Sequence, residues 1–117
     1  HGVYMFWRAK TTYRNSLERM SMPLYTLIAH DRPDPERRLT HRPAHLEHMQ
    51  QLDADGRLIY GGPLVNDNNQ MVGSLIILQA ESLEEAKATY ANDPYMKQKV
   101  FDRFDVIETK QVFPQAK

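Results

Sequence analysis

Few residues of this chain could do chemistry, and several of them fall in one short segment. His41, His45 and His48 follow one another at spacings of four and three, which on a helix would bring three imidazoles to one side. His45 also shares a stripe with Met49 and Leu52, four and seven residues on. It should therefore face the interior with them, while His48 takes the solvent flank. An inward imidazole needs partners for its ring nitrogens. A carboxylate behind it would fix its tautomer and stabilise its protonated form, and the two together would act as a general base. Asp93 is the carboxylate that the order of elements described below can bring to it, and Ser74 lies within the same reach. The bland alternative is a core histidine that is merely satisfied, and the residues alone leave both readings open.

Other side chains would gather at the same end of the fold. Ser74 reads as a hydrogen-bond donor to His45 or to a ligand, because no G-x-S-x-G elbow surrounds it to make a nucleophile. Gly61, Gly62, Pro63 and Gly73 could let a ligand approach backbone N–H groups, or could serve close sheet packing or a bulge. Arg42 would meet an anionic substrate group at the mouth of a pocket, and Tyr95 stands two residues after Asp93. The run Glu36-Arg37-Arg38 reads as a solvated turn. The three histidines invite a metal, but the chain has no Cys and no H-E-x-x-H pattern, so no metal is expected. With neither G-x-G-x-x-G nor a P-loop lysine, no nucleotide cofactor is expected either.

The elements that must position these groups are legible from punctuation. Leu24 to His30 is rich in strand formers and ends in the double-proline loop Asp31 to Pro35. Thr40 can cap a helix running to about residue 55, with Pro43 in its first turn and Gly56 as its stop. Leu58 to Val65 and Met71 to Gln79 form a hairpin across the turn Asn66 to Gln70. Ser82 to Glu85 has capping-box spacing and opens a second helix that ends near Asn92 to Pro94. A turn over Tyr95 to Lys99 leads to a last strand from Phe101 to Val112. The order β-α-β-β-α-β predicts a ferredoxin-like α+β sandwich: a four-stranded antiparallel sheet ordered 4-1-3-2, with both helices on one face.

The strands are apolar in both phases, Leu75 and Ile77 opposing Ile76 and Leu78, so the sheet should be covered on both faces. A second copy of the chain is the simplest cover and a homodimer is expected. Cover by residues 1–21 is the alternative.

The chain has 117 residues, 15 Lys plus Arg against 15 Asp plus Glu, and 41% hydrophobic residues. That fits one soluble domain over residues 22–117. Its zero formal charge supplies no field for nucleic acid or anionic membrane, so small molecules and protein partners remain. The absence of Cys suits a reducing, cytoplasmic location. Residues 1–21 read as an extension that starts apolar and turns basic, the reverse of a secretion signal. Tyr13, Leu17 and Met20 within it have helical spacing.

In order and spacing, several blocks resemble the YCII-related family of small proteins, of the bacterial YciI type. They are Arg38-Leu39-Thr40-His41-Arg42-Pro43-Ala44-His45-Leu46, Asp55-Gly56-Arg57-Leu58, Gly62-Pro63, Gly73-Ser74, Ser82-Leu83-Glu84-x-Ala86 and Asp93-Pro94-Tyr95. The resemblance covers about Met22 to Phe113. The resemblance implies a dimeric α/β barrel of two ferredoxin-like subunits, with a site centred on His45 and Asp93 and with Ser74 nearby. A related branch eliminates chloride from a chlorinated hydroxyquinol, and the wider superfamily includes muconolactone isomerases and cofactor-free monooxygenases. The implied activity is a cofactor-independent lyase or isomerase acting on a small phenolic or lactone-like molecule, His45 serving as base beside the dimer interface. A non-catalytic, ligand-binding homodimer is the rival.

Overall fold

The structure, a computed structural model, describes residues 22–115. The expected extension and its short helix lie outside the described residues. Strand β1 (Leu24–Asp31) leads into helix α1 (Pro35–Ala54), the hairpin of β2 (Leu58–Val65) and β3 (Met71–Gln79), helix α2 (Leu83–Ala91), the short α3 (Pro94–Lys97) and β4 (Phe101–Thr109). The sheet order is β2-β3-β1-β4, every neighbouring pair antiparallel. This is the ferredoxin-like α+β arrangement that the element order predicts.

Three boundaries differ from expectation. Helix α1 begins at Pro35 and not at Thr40, because Asp34 caps it by accepting the Glu36 N–H at 3.0 Å and Pro35 suits the first helical position. Pro43 therefore lies inside the helix. It leaves the Leu39 carbonyl without its partner, but both residues are exposed and water can reach the gap. The segment Glu36 to Arg38 becomes the first turn of the helix, and Arg38 is buried. Residues Pro94–Lys97 form a helical turn capped by Asp93 where a loop was expected. Strand β4 stops at Thr109, since that residue already pairs with Leu24 at the start of β1 and later residues meet no partner there.

Strand alternation puts Tyr25, Leu27 and Ala29 of β1 and Ile76 and Leu78 of β3 on the helix side, where they are buried with Leu52, Ala86, Tyr90 and Tyr95. The Tyr90 hydroxyl is shared between the carbonyls of Tyr25 (2.7 Å) and Ile76 (3.0 Å), tying α2 to both central strands. The other face carries Leu24, Ile28, Leu75 and Ile77, each half-buried, with Tyr60 48% and Ile107 55% exposed. No described element packs on it. No helix among the described residues is long and apolar enough to cross a membrane.

Candidate active site

Helix α1 turns one stripe toward the sheet, and Arg38, His45 and Leu52, seven residues apart, are its buried members. Two turns separate each from the next, which keeps them in line. Asp93 arrives from the far side, at the junction of α2 and α3, where it caps α3 by accepting the Tyr95 N–H at 2.9 Å. Its two carboxylate oxygens each lie 2.9 Å from His45 Nδ1. With Nδ1–H donating to the carboxylate, the Nε2 lone pair is the one left for a ligand, and the ring is fixed in orientation. Asp93 is 1% exposed and His45 9%. The carboxylate is thus inaccessible and the imidazole only just accessible.

Tyr95 continues the construction. Its ring stacks on the His45 imidazole, centroids 3.8 Å apart and planes 9° from parallel, and meets Phe101 edge to face. The Arg38 guanidinium lies over the same phenol ring, 4.6 Å from its centroid. Arg38 is held by Asp31 through two bonds, Nε–H to Oδ2 at 2.7 Å and Nη2–H to Oδ1 at 2.9 Å, and also donates from Nη2 to Ser74 Oγ at 2.9 Å. Burial opposes the Arg38 charge, but the bonds and charge of Asp31 outweigh it and raise its pKa, so it is always a cation. Burial pushes the Tyr95 hydroxyl above the ordinary tyrosine range, with Arg38 and Arg42 pulling against it.

These groups border a cavity of about 290 Å³ between α1 and the β2–β3 hairpin. Arg38, Arg42, His45, Ser74 and Tyr95, with Gln50 and Asp53 further along α1, form its polar lining, and Leu46, Met49, Leu58 and Ile76 much of the apolar remainder. The cavity lies on the helix side of the sheet, opposite the bare apolar face, and not beside that face as expected. Gly62 and Pro63 line it from the edge strand β2. So does Gly61, where a Cβ would come within 2.6 Å of Met49 Cε. Gly73 does not line it. A Cβ there would run into the Ala29 carbonyl oxygen, so this glycine serves the close approach of β3 to β1.

The structure thus brings His45, Asp93, Ser74, Arg42 and Tyr95 to one place, and adds Arg38, which the sequence reading leaves out. Ser74 accepts from Arg38, which the sequence reading places in a solvated turn because it starts the helix at Thr40 and not at Pro35. The signal was present: Arg38 stands seven residues before His45 and so on the same stripe once the helix includes it.

The pattern of the YCII-related domain matches residues 23–110. Protein YciI of Escherichia coli is 40% identical over 97 residues, which cover 77% of this chain and 99% of that protein. The derivative of benzaldehyde biosynthesis cluster protein C of Emericella nidulans is 39% identical over 71 residues, 55% of this chain and 72% of that one. Among solved structures, the 5-chloro-2-hydroxyhydroquinone dehydrochlorinase TftG of Burkholderia phenoliruptrix, in complex with 2,5-dihydroxybenzoquinone, superposes with a TM-score of 0.68. It is 31% identical, over 75% of this chain and 94% of its own. With most of its length matched by that domain pattern and by these relatives, this chain belongs to the YCII-related family.

Proposed function

We propose that this protein is an acid/base lyase or isomerase, acting without a cofactor on a small phenolic or lactone-like molecule, with His45 as the base and Asp93 as its positioning partner. The observation that carries the reading is the pair of 2.9 Å contacts from the Asp93 carboxylate to His45 Nδ1, on a ring that borders the cavity. Nε2 takes a proton from a ring hydroxyl or an acidic carbon, and Asp93 stabilises the imidazolium that results. The electron pair left on the substrate then shifts a double bond. Where a leaving group is to depart from a phenol ring, the ring carbon that bears it first takes up a proton to give the keto form, and loss of a second proton expels the group. In the isomerase case the imidazolium returns its proton to another carbon; in the lyase case it gives the proton to the leaving group or to water.

The relatives favour an oxygenated aromatic substrate. Removal of hydrogen chloride from a chlorinated hydroxyhydroquinone, the activity by which TftG is named, is a proton transfer followed by loss of chloride, and the fungal relative is named for benzaldehyde chemistry. Homodimer formation belongs to the same proposal. A sheet whose outer face carries Leu24, Ile28, Leu75 and Ile77 gains most by covering them, and a second copy offers the same surface in return.

The test is turnover of a panel of phenols, chlorinated hydroquinones and lactones by the wild type beside His45→Ala. Conversion of at least one compound, lost in the variant while the far-ultraviolet dichroism is unchanged, is expected. Ligands that bind without conversion would make the protein the non-catalytic binding dimer instead.

A further inference from the structure

The cavity extends well beyond the His45–Asp93 pair. Helix α1 borders it from Arg38 in its first turn to Asp53 in its last, a run of about 22 Å at roughly 1.5 Å per residue. Arg42, Leu46, Gln50 and Asp53, at spacings of four, four and three, are exposed and form one stripe along its open side. Chemical character reverses along the helix. Arg38 and Arg42 bring positive charge to the end where α1 starts, and Leu46 and Met49 make the middle apolar. Asp53 and the amide of Gln50 offer accepting oxygens where α1 stops. The helix C-terminus adds partial negative charge at that end, and the last turn of α1 holds no basic residue to answer it. Size points the same way. A cavity of about 150 Å³ holds benzene, so a single ring at His45 and Tyr95 leaves roughly half of the 290 Å³ unfilled. Gly61, opposite Met49, has no side chain to divide the two ends.

We infer that Asp53 and Gln50, near the end of α1, bind a cationic arm of the ligand, and that the molecule this cavity takes is a hydroxylated ring carrying a short chain that ends in an ammonium group. The inference deepens the function proposed above and rests on it for the seat of the ring. With the ring hydroxyl at His45 Nε2, the arm runs past Leu46 and Met49 toward Asp53, about 12 Å further along the helix axis. A hydrogen bond of roughly 3 Å at each end leaves a span that one ring and a two- or three-carbon chain fill. The apolar middle takes the chain, and the ammonium meets the carboxylate at the exposed rim. An anionic arm turned the same way would meet Asp53 with like charge. The formal charge of the chain is zero, so a preference for the cation comes from the local carboxylate and not from a field over the whole surface.

The test is equilibrium binding, independent of turnover. Tyramine and 4-ethylphenol share the ring, the hydroxyl and the two-carbon chain, and differ by the ammonium. Both are titrated calorimetrically into the full chain as wild type, Asp53→Asn and Glu47→Gln, the last removing an exposed carboxylate of α1 that does not border the cavity. The wild type is expected to bind tyramine about fivefold more tightly than 4-ethylphenol, the upper end for an exposed ion pair, with the difference shrinking as salt is raised. Asp53→Asn should bring the two affinities together by weakening tyramine alone, and Glu47→Gln should leave the difference in place. Equal affinities in the wild type, a preference that survives Asp53→Asn or disappears in Glu47→Gln, or no binding of either phenol overturns the inference. Turnover of a phenol that His45→Ala abolishes, with tyramine and 4-ethylphenol bound alike, would sink the cationic-arm site alone. A tyramine preference that Asp53→Asn removes, in a protein that converts nothing, would sink the acid/base reading alone.

Discussion

At the scale of single residues, Asp93 carries the most consequence, because it neither touches the cavity nor can be spared. Its carboxylate accepts from His45 Nδ1 and from the Tyr95 backbone. Asp93→Asn keeps the shape but removes the charge and offers the imidazole an amide that permits the wrong tautomer. Under the proposed mechanism kcat should fall by about 10³ to 10⁴ with ligand affinity retained, a comparison that steady-state kinetics and titration make together. His48, one turn on from His45 and half-buried, gives a pH prediction. Burial lowers its pKa below the ordinary 6.5, and Asp93 only partly offsets this. The fold therefore favours the neutral ring, and its contribution to stability is present above pH 6.5 and lost as pH falls through the folded value. Urea midpoints between pH 7 and 5 should fall more steeply in the wild type than in His48→Gln. The His45–Asp93 pairing was legible in the sequence because stripe and topology converge on it. The Arg38 bridge from Asp31 to Ser74 was not, since it depends on where α1 begins.

Among the elements, the first three strands were readable almost to the residue, because alternation and turn chemistry agree. Asn66, for instance, accepts the N–H groups of Asn68 and Gln70 to close the hairpin that its residue type announces. Helix α1 was harder, since three prolines crowd its beginning and the sequence does not say which one is outside. Pro33 stands before the cap, Pro35 opens the helix and Pro43 interrupts its exposed side. The glycines needed the structure. Gly73→Ala should destabilise the protein by about 1–3 kcal/mol through forced separation of β3 from β1, where the Ala29 oxygen and Leu64 Cδ1 occupy the room. Denaturant unfolding measures this directly. A ligand-binding role for Gly73 would instead leave the midpoint in place and weaken affinity.

For the whole molecule, the two faces of the sheet divide the work. The helix face makes the core and the cavity, and the outer face is kept apolar at positions no described residue covers. Ile77 points outward, between Thr26 and Tyr60 in the sheet register. Ile77→Lys should place an uncompensated charge in the proposed subunit interface and shift sedimentation from dimer to monomer, leaving the helix-side core untouched. A wild-type monomer would show that the face is covered from within the chain, with residues 1–21 the segment then to delete. The two-phase apolar pattern made this face visible in the sequence, whereas the side on which the cavity opens depended on where α1 packs.

The strand order also dictates a sequence of events in time. β1 is synthesised first among the strands, yet its neighbours in the sheet are β3 and β4, and Leu24 waits for Thr109 to close the pairing. The Tyr90 hydroxyl bridges to Tyr25 across 65 residues of chain. Only the β2–β3 hairpin can assemble from adjacent chain, so it should form early and hold its apolar rows open until the two ends arrive. A nascent chain released before β4 therefore carries a centre without a flank, and refolding should be slowest where β1 must gather partners from both later halves of the sequence.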